Sequence, residues 1–215
     1  MLIQDVMIRR VFTLNKTDMI KDAIELMQDR QIRHIPIVDS DYSCIGIVTD
    51  RDIRSAVPSI FYSEEQHDVF SRPIESIMTT NVITAHPLDF IEEVAAIFYR
   101  ENIGCLPIVA HNRLIGIITE TDVLRTFVEL TGVNQPGSHL EVRVKNKPGI
   151  LADVVEIIRQ HHINIQSIFV YPDKSSQDKK ILVFRIETIN PNSIVDAILA
   201  NDYEVLWPKK PRISP

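Results

Sequence analysis

Residues 7–38 recur at residues 78–109, at a constant offset of 71. Met7 falls on Met78, Thr13 on Thr84, Asp18 on Asp89 and Pro36 on Pro107. The second copy then loses one residue in a hairpin, and the offset becomes 70. Gly46-Ile47-Val48-Thr49-Asp50-Arg51-Asp52 matches Gly116-Ile117-Ile118-Thr119-Glu120-Thr121-Asp122. Chance does not align so many residue types in one order, so the chain contains a duplicated structural unit. A unit of roughly 55–60 residues buries too little surface to stand alone, so the two copies should pack on each other.

Each copy reads as β-α-β-β-α. Short apolar stretches, Val11–Thr13 and Val82–Thr84, lead in. A helix follows, with Ile20, Ala23, Ile24 and Met27, or Ile91, Val94, Ala95 and Phe98, on one face at i, i+3, i+4, i+7 spacing. Asp18 and Asp89 are placed to cap it, and Glu92 stands at capping-box distance from Asp89. Two β-rich runs, Ile35–Val38 and Cys44–Val48, flank a turn at Asp39–Ser43. A second helix opens at Thr49 or Thr119.

The pattern changes after Thr131–Ser138, whose Gly, Pro, Asn and Ser read as a linker. Leu140, Val142 and Val144 alternate along a strand, and Asn146–Gly149 turn into a helix carrying Leu151, Val154, Val155 and Ile158. Ile163–Tyr171 and Lys180–Thr188 read as strands, Asn192–Ala200 as a helix and Tyr203–Trp207 as a last strand. That order, βαββαβ, is the ferredoxin-like plan. The fold class is therefore mixed α/β.

Composition removes several functions. The 215 residues carry 23 Lys+Arg against 29 Asp+Glu, a net charge of −6, the wrong sign for a nucleic-acid partner. No apolar run reaches the roughly 18–20 residues that a membrane helix needs. Met1–Arg10 holds no apolar core of a signal peptide. Two isolated cysteines, Cys44 and Cys105, fit a reducing, cytoplasmic setting. The CxxC, HExxH, GxGxxG, Walker and GxSxG strings are missing, and no set of nucleophile, base and orienting group can be named. The expectation is a chain that is not an enzyme and holds no metal.

The paired G-h-h-T-x-x-D strings, the two apolar-Pro-apolar strands and the Met…Thr starts resemble the CBS domain. Their tandem resembles a CBS-pair (Bateman) module. Val144–Leu151, with His162-Ile163-Asn164-Ile165 further on, resembles an ACT domain. The whole arrangement, including Ser59-Ile60-Phe61 and Thr126–Gly132, looks like the acetoin-utilisation family. The resemblance implies CBS domains over 1–65 and 66–130 and an ACT domain over 139–208. It implies a regulator of acetoin or butanediol catabolism, and of growth or sporulation on those carbon sources. It further implies an adenine nucleotide (AMP, ADP or ATP) as regulatory ligand, no required cofactor, a homodimer, and a separate, unidentified protein target.

Thr49 with Asp52, and Thr119 with Asp122, carry two compatible readings. One is a helix cap, with Thr at N-cap and Asp at N3. The other is a nucleotide site: free N–H groups and the helix dipole suit phosphate, and an acceptor-only carboxylate suits the ribose diol. The CBS resemblance implies phosphate and ribose roles for these four, with Thr13, Arg33, His34, Arg51 and Thr84 completing the nucleotide-binding set. The copies are unequal, because Arg33-His34 stands where the second has Gly104-Cys105, and Asp50-Arg51 where it has Glu120-Thr121. Arginine's planar fork suits phosphate, so phosphate-handling charge lies in the first copy. The plainer reading makes Arg33, His34 and Arg51 solvated surface residues. Cys44 and Cys105 are expected as small packing residues rather than as a nucleophile with His34. Asn146, Gly149, Ile150 and Asn164 are the candidate amino-acid effector residues of the ACT segment. Asn146 stands where effector-binding ACT domains often carry Asp. Two further readings remain: an enzyme acting on a bound nucleotide, and a scaffold with empty clefts.

Overall fold

The computed structural model describes residues 1–56 and 69–209. Two compact units make up the chain, one running from Met1 to Leu124 and one starting at Arg125. In the first lie β1 (Leu14–Asn15), α1 (Ile20–Arg30), β2 (His34–Val38), β3 (Cys44–Thr49) and α2 (Asp50–Ala56). The second copy repeats them as α3 (Ile91–Glu101), β4 (Cys105–Ala110), β5 (Arg113–Thr119) and α4 (Glu120–Thr131). β2 pairs antiparallel with β3 and β4 with β5, with a bulge at the same place in each, Ile37/Val38 and Ile108/Val109. β1 adds to β2 in parallel, and in the second copy Ala85 bridges Ile108 the same way. The lead-in strand thus starts at Leu14, directly after the expected stretch Val11–Thr13 rather than within it.

Neither copy closes its own core. Ile3 N and Gln4 N donate to the carbonyls of Asp89 and Pro87 in the second copy, at 3.0 and 2.9 Å. Ile74 N and Glu75 N donate to those of Asp18 and Lys16 in the first, at 2.8 and 3.0 Å. Ile3 and Met7 are buried among Ile91, Val94, Leu106 and Ile118. Ile74 is buried among Ala23, Ile35, Ile37 and Val48. Each fully buried isoleucine contributes about 1.5–3 kcal/mol, and each contributes it to the other copy's core. The same exchange explains the glycine of each G-h-h-T string. A Cβ on Gly46 would come within 2.7 Å of Met78 Sδ, and one on Gly116 within 2.6 Å of Met7 Sδ. The methionine that opens one copy lies against the glycine of the other, and backbone bridges Ile8–Ile117 and Ile47–Thr79 hold each contact in register.

The first helices start one residue later than expected. Asp22 Oδ2 accepts Met19 N at 2.8 Å, and Glu93 Oε2 accepts Phe90 N at 3.1 Å. Asp18 and Asp89 instead close the preceding turns, accepting Asn15 N and His86 N at 2.7 Å each. Glu93, not Glu92, completes the capping box.

The second unit contains β6 (Ser138–Lys145), α5 (Ile150–Gln160), β7 (Ile165–Pro172), β8 (Lys179–Ile186), α6 (Asn192–Ala200) and β9 (Glu204–Trp207). Its sheet is antiparallel in the order β7-β8-β6-β9, which is the ferredoxin-like order. Leu140, Val142, Phe184 and Ile186 of the sheet pack against Val154 and Ile158 of α5 and Ile194 and Ile198 of α6. Gly149 precedes α5 at φ 83°, a left-handed conformation that favours glycine.

Candidate functional site

β3 and β5 each end on a threonine that opens the next helix. Thr49 N and Thr49 Oγ1 donate to Asp52 Oδ2 at 2.8 and 2.7 Å, and Asp52 N donates back to Thr49 Oγ1 at 3.3 Å. Thr119 and Asp122 repeat the pattern at 3.0, 2.6 and 3.3 Å. Both boxes are therefore helix caps, and each spends one carboxylate oxygen on its threonine. In the first box, among the described residues, no donor reaches Asp52 Oδ1, so that oxygen is the acceptor available to a hydroxyl. Asp52 is half-buried, and Asp122 is buried at 8% exposure.

Each box is tied to the start of the hairpin before it. Asp50 N donates to the Arg33 carbonyl at 3.1 Å, and Glu120 N to that of Gly104 at 3.2 Å. The copies meet at His34. A Cβ on Gly104 would come within 3.2 Å of His34 Nε2 and 3.8 Å of Glu120 Oε2. The glycine is what admits the imidazole. Burial, and then the neighbouring Arg33 cation, hold His34 below the ordinary histidine pKa, while Asp50, Glu120 and Asp52 pull it back up. Its neutral form therefore predominates at pH 7.

The structure thus gathers Thr49, Asp52, His34, Gly104 and Glu120 into one neighbourhood, with Thr119 directly before Glu120 and Asp122 two residues after it. Arg33 and Arg51 flank it with exposed side chains. Thr13 is half-buried just before β1, and Thr84 is exposed just before Ala85. Among the described residues no hydrogen bond joins either to the boxes. In the sequence, Gly104, Asp50 and Glu120 mark only where the two copies differ and are not candidate site residues. Their signal was the inequality of Arg33-His34 and Gly104-Cys105, which reads as one copy lacking a side chain rather than as a socket for the other's. Cys105 is buried, and burial pushes its thiol well above the usual range. Half-buried Cys44 is shifted the same way. Neither is an activated nucleophile.

In the second unit the four candidate effector residues split. Asn146 N donates to the Asp178 carbonyl at 2.8 Å, beside a cleft of about 430 Å³ lined by Lys145, Asn146, Lys147 and Ser176–Lys179. Gly149 and Ile150 follow directly at the start of α5. Asn164 donates through Nδ2 to Glu187 Oε2 at 3.0 Å. Lys145 pairs with Lys179 at the start of β8, and Ile165 with Ile186 at its end, so Asn164 lies at the opposite end of the sheet from Asn146. Among the described residues, no group of three or more His, Cys, Asp and Glu could hold a metal, and no helix is long and apolar enough to cross a membrane.

These features define a duplicated α/β pair with a threonine–aspartate box at the end of each hairpin and His34 of the first copy set against Gly104 of the second, followed by a ferredoxin-like domain. The CBS domain family model matches residues 3–59 and 74–129, and the ACT domain model matches 138–201; the chain belongs to the CBS domain family and carries a C-terminal ACT domain. It is 31% identical over 134 residues to a CBS domain-containing protein of Dictyostelium discoideum, covering 60% of this chain and 92% of that one. It is 32% identical to homoserine O-acetyltransferase of Methanococcus vannielii over 59% of this chain, but spans only 25% of that enzyme. Among solved structures it is similar to the CBS domain pair of protein MJ0100 in complex with 5-methylthioadenosine and S-adenosyl-L-methionine. That match has 32% identity, TM-score 0.52 and coverage of 60% of this chain and 97% of that one. A chain assigned as acetoin utilization protein AcuB of Vibrio cholerae matches with 34% identity, TM-score 0.55 and coverage of 63% and 96%.

Proposed function

We propose that this chain is a non-catalytic regulator. In this reading the CBS pair binds an adenosine-containing ligand at the Thr49–Asp52 and Thr119–Asp122 boxes, and the ACT domain passes the state on to a separate protein. The observation that carries the reading is the duplicated box, in which the carboxylate caps a helix through one oxygen and, at Asp52, presents the other. The MJ0100 pair, solved with two adenosyl compounds, supports the ligand class. Arg33 and Arg51 would meet phosphates, and His34, in its neutral form, would offer one donor and one acceptor to a base or ribose edge. Thr13 and Thr84 would complete the clefts from the lead-in strands. The similarity to AcuB of Vibrio cholerae supports a role in acetoin utilisation. The domain divisions proposed with it are 1–65, 66–130 and 139–208. The active species in this reading is a cytoplasmic homodimer. Ile60, Phe61 and Phe70, in the segment between the two copies, would supply the two-fold contact; Phe70 is half-buried, while Ile60 and Phe61 lie outside the described residues. Mass spectrometry of small molecules released from freshly purified protein tests the reading. An adenosine compound at near-stoichiometric yield is expected, and release of none after purification with added AMP, ATP or S-adenosylmethionine would overturn it.

A further inference from the structure

At the offset of 70 that relates the two boxes, Asp50 falls on Glu120, Arg51 on Thr121 and Arg54 on Leu124. The helix starts therefore differ in charge although the boxes themselves match. In the first copy the carboxylate that follows the box threonine is neutralised. Arg54 Nη2 lies 2.7 Å from Asp50 Oδ2, one helical turn on, and Arg54 Nε donates to the Asp50 carbonyl at 3.2 Å. Arg51 is left exposed beside it. Arg33 is joined to the same helix start, since its carbonyl accepts Asp50 N at 3.1 Å. In the second copy exposed Leu124 stands at the place of Arg54, and Gly104 at the place of Arg33. Among the described residues no cation pairs with the Glu120 carboxylate. That carboxylate also faces the site. Glu120 Oε2 is 3.8 Å, and His34 Nε2 3.2 Å, from the point a Cβ on Gly104 would occupy. Burial keeps His34 neutral there. A phosphate at the first box meets Arg33 and Arg51. At the second it meets a free carboxylate and no fixed cation from that copy's hairpin or helix start. A repulsive group set against one ligand class is a source of specificity.

We propose that Glu120 is the specificity-determining residue of the second half-site. In this assignment the Thr119–Asp122 box accepts an adenosyl compound without phosphate, neutral or cationic. The Thr49–Asp52 box takes a nucleotide through Arg33 and Arg51. The assignment rests on the adenosine-ligand reading given above and adds the charge that each box selects.

Titration calorimetry of the full chain at low ionic strength, with ATP, adenosine and S-adenosylmethionine as probes, tests it. Two unit charges about 6 Å apart in water change an equilibrium about threefold. Glu120→Gln should therefore raise the ATP-to-adenosine affinity ratio at the weaker ATP site by about threefold or more. It should lower the ratio for S-adenosylmethionine, which carries a sulfonium cation, by about threefold. Leu124→Arg leaves Glu120 in place and restores the first copy's i, i+4 pair, and it should act in the same directions. Both side chains are exposed, so neither change opens a core. The differences should shrink as salt is added, as a charge effect does and a packing effect does not. Ratios unchanged in both variants would overturn the assignment. So would ATP and S-adenosylmethionine shifting together in one direction. Binding of none of the three probes to wild type would instead overturn the adenosine-ligand reading, and the assignment with it.

Discussion

Replacing Gly116 with alanine tests the exchange of segments between the two CBS copies. The new methyl would come within 2.6 Å of Met7 Sδ and 3.3 Å of the Ile8 carbonyl oxygen. Met7 is 8% exposed and packed among the second copy's core residues, so its thioether has little room to retreat. Overpacking of this kind costs about 1–3 kcal/mol, and each kcal/mol moves the melting temperature of a unit this size by about 2–8 °C. Met7→Ala alone leaves a cavity and costs about 2–5 kcal/mol. Combined, the two changes should be less harmful than their sum, with a coupling of about 0.5–3 kcal/mol, because each removes what the other offends. The partner choice is the sharper part. Met7→Ala should rescue Gly116→Ala but not Gly46→Ala, and Met78→Ala should rescue Gly46→Ala but not Gly116→Ala. Urea denaturation followed by circular dichroism gives all the energies. Additive costs within each crossed pair, or rescue within a copy such as Met7 with Gly46, would refute the reasoning.

Acidification should weaken the fold through His34. Its folded pKa is lowered, so the unfolded chain takes up this proton first. The stabilising contribution is complete above the ordinary value near 6.5 and is lost as pH falls below it. Urea midpoints between pH 8 and 5 should fall further for wild type than for His34→Gln, and parallel profiles would contradict this assignment. Gly104→Ala should destabilise by crowding His34 Nε2 at 3.2 Å, and the loss should shrink in the His34→Ala background, as thermal melts would show. Gly149→Ala should cost about 1–2 kcal/mol from its left-handed backbone alone, since nothing lies within 4 Å of the added Cβ. Gly149→Asn should lose less in the same denaturation assay.

The repeat made the architecture legible, because the i, i+3, i+4, i+7 stripes and alternating strands are local patterns, and Asn192–Ala200 was bounded as the structure has it. The Thr49–Asp52 and Thr119–Asp122 boxes were equally readable, since a cap is a contact three residues long. What the pattern did not carry is which copy each residue serves. Met7 against Gly116, and His34 against Gly104, are contacts between residues 70 or more positions apart, and alignment of the copies suggests pairing within a copy rather than across. The Thr131–Ser138 segment lies between the CBS and ACT matches, as a linker does, but its contacts were not legible, for a related reason. Its Gly and Pro content marks a departure from helix, but the side chains that hold it belong to Gln166, Ser167 and Arg185, which nothing local announces. Asn146 and Asn164 were grouped by motif, and the antiparallel course of β6 and β8 separates them.

Titration calorimetry of ribo- and deoxyribonucleotides tests the central claim most directly. If the boxes meet a ribose diol, wild type should bind AMP, ATP or S-adenosylmethionine more tightly than the matching 2′-deoxy compound. Loss of a buried hydroxyl–carboxylate bond costs about 1–3 kcal/mol, or roughly 5- to 150-fold in affinity. Asp52→Ala and Asp122→Ala should reduce binding of the ribo compound by a similar factor and abolish the preference at the altered box. Equal binding of ribo and deoxy forms, or no heat at millimolar concentration with any of them, would contradict the account and leave Thr49, Asp52, Thr119 and Asp122 as helix caps alone.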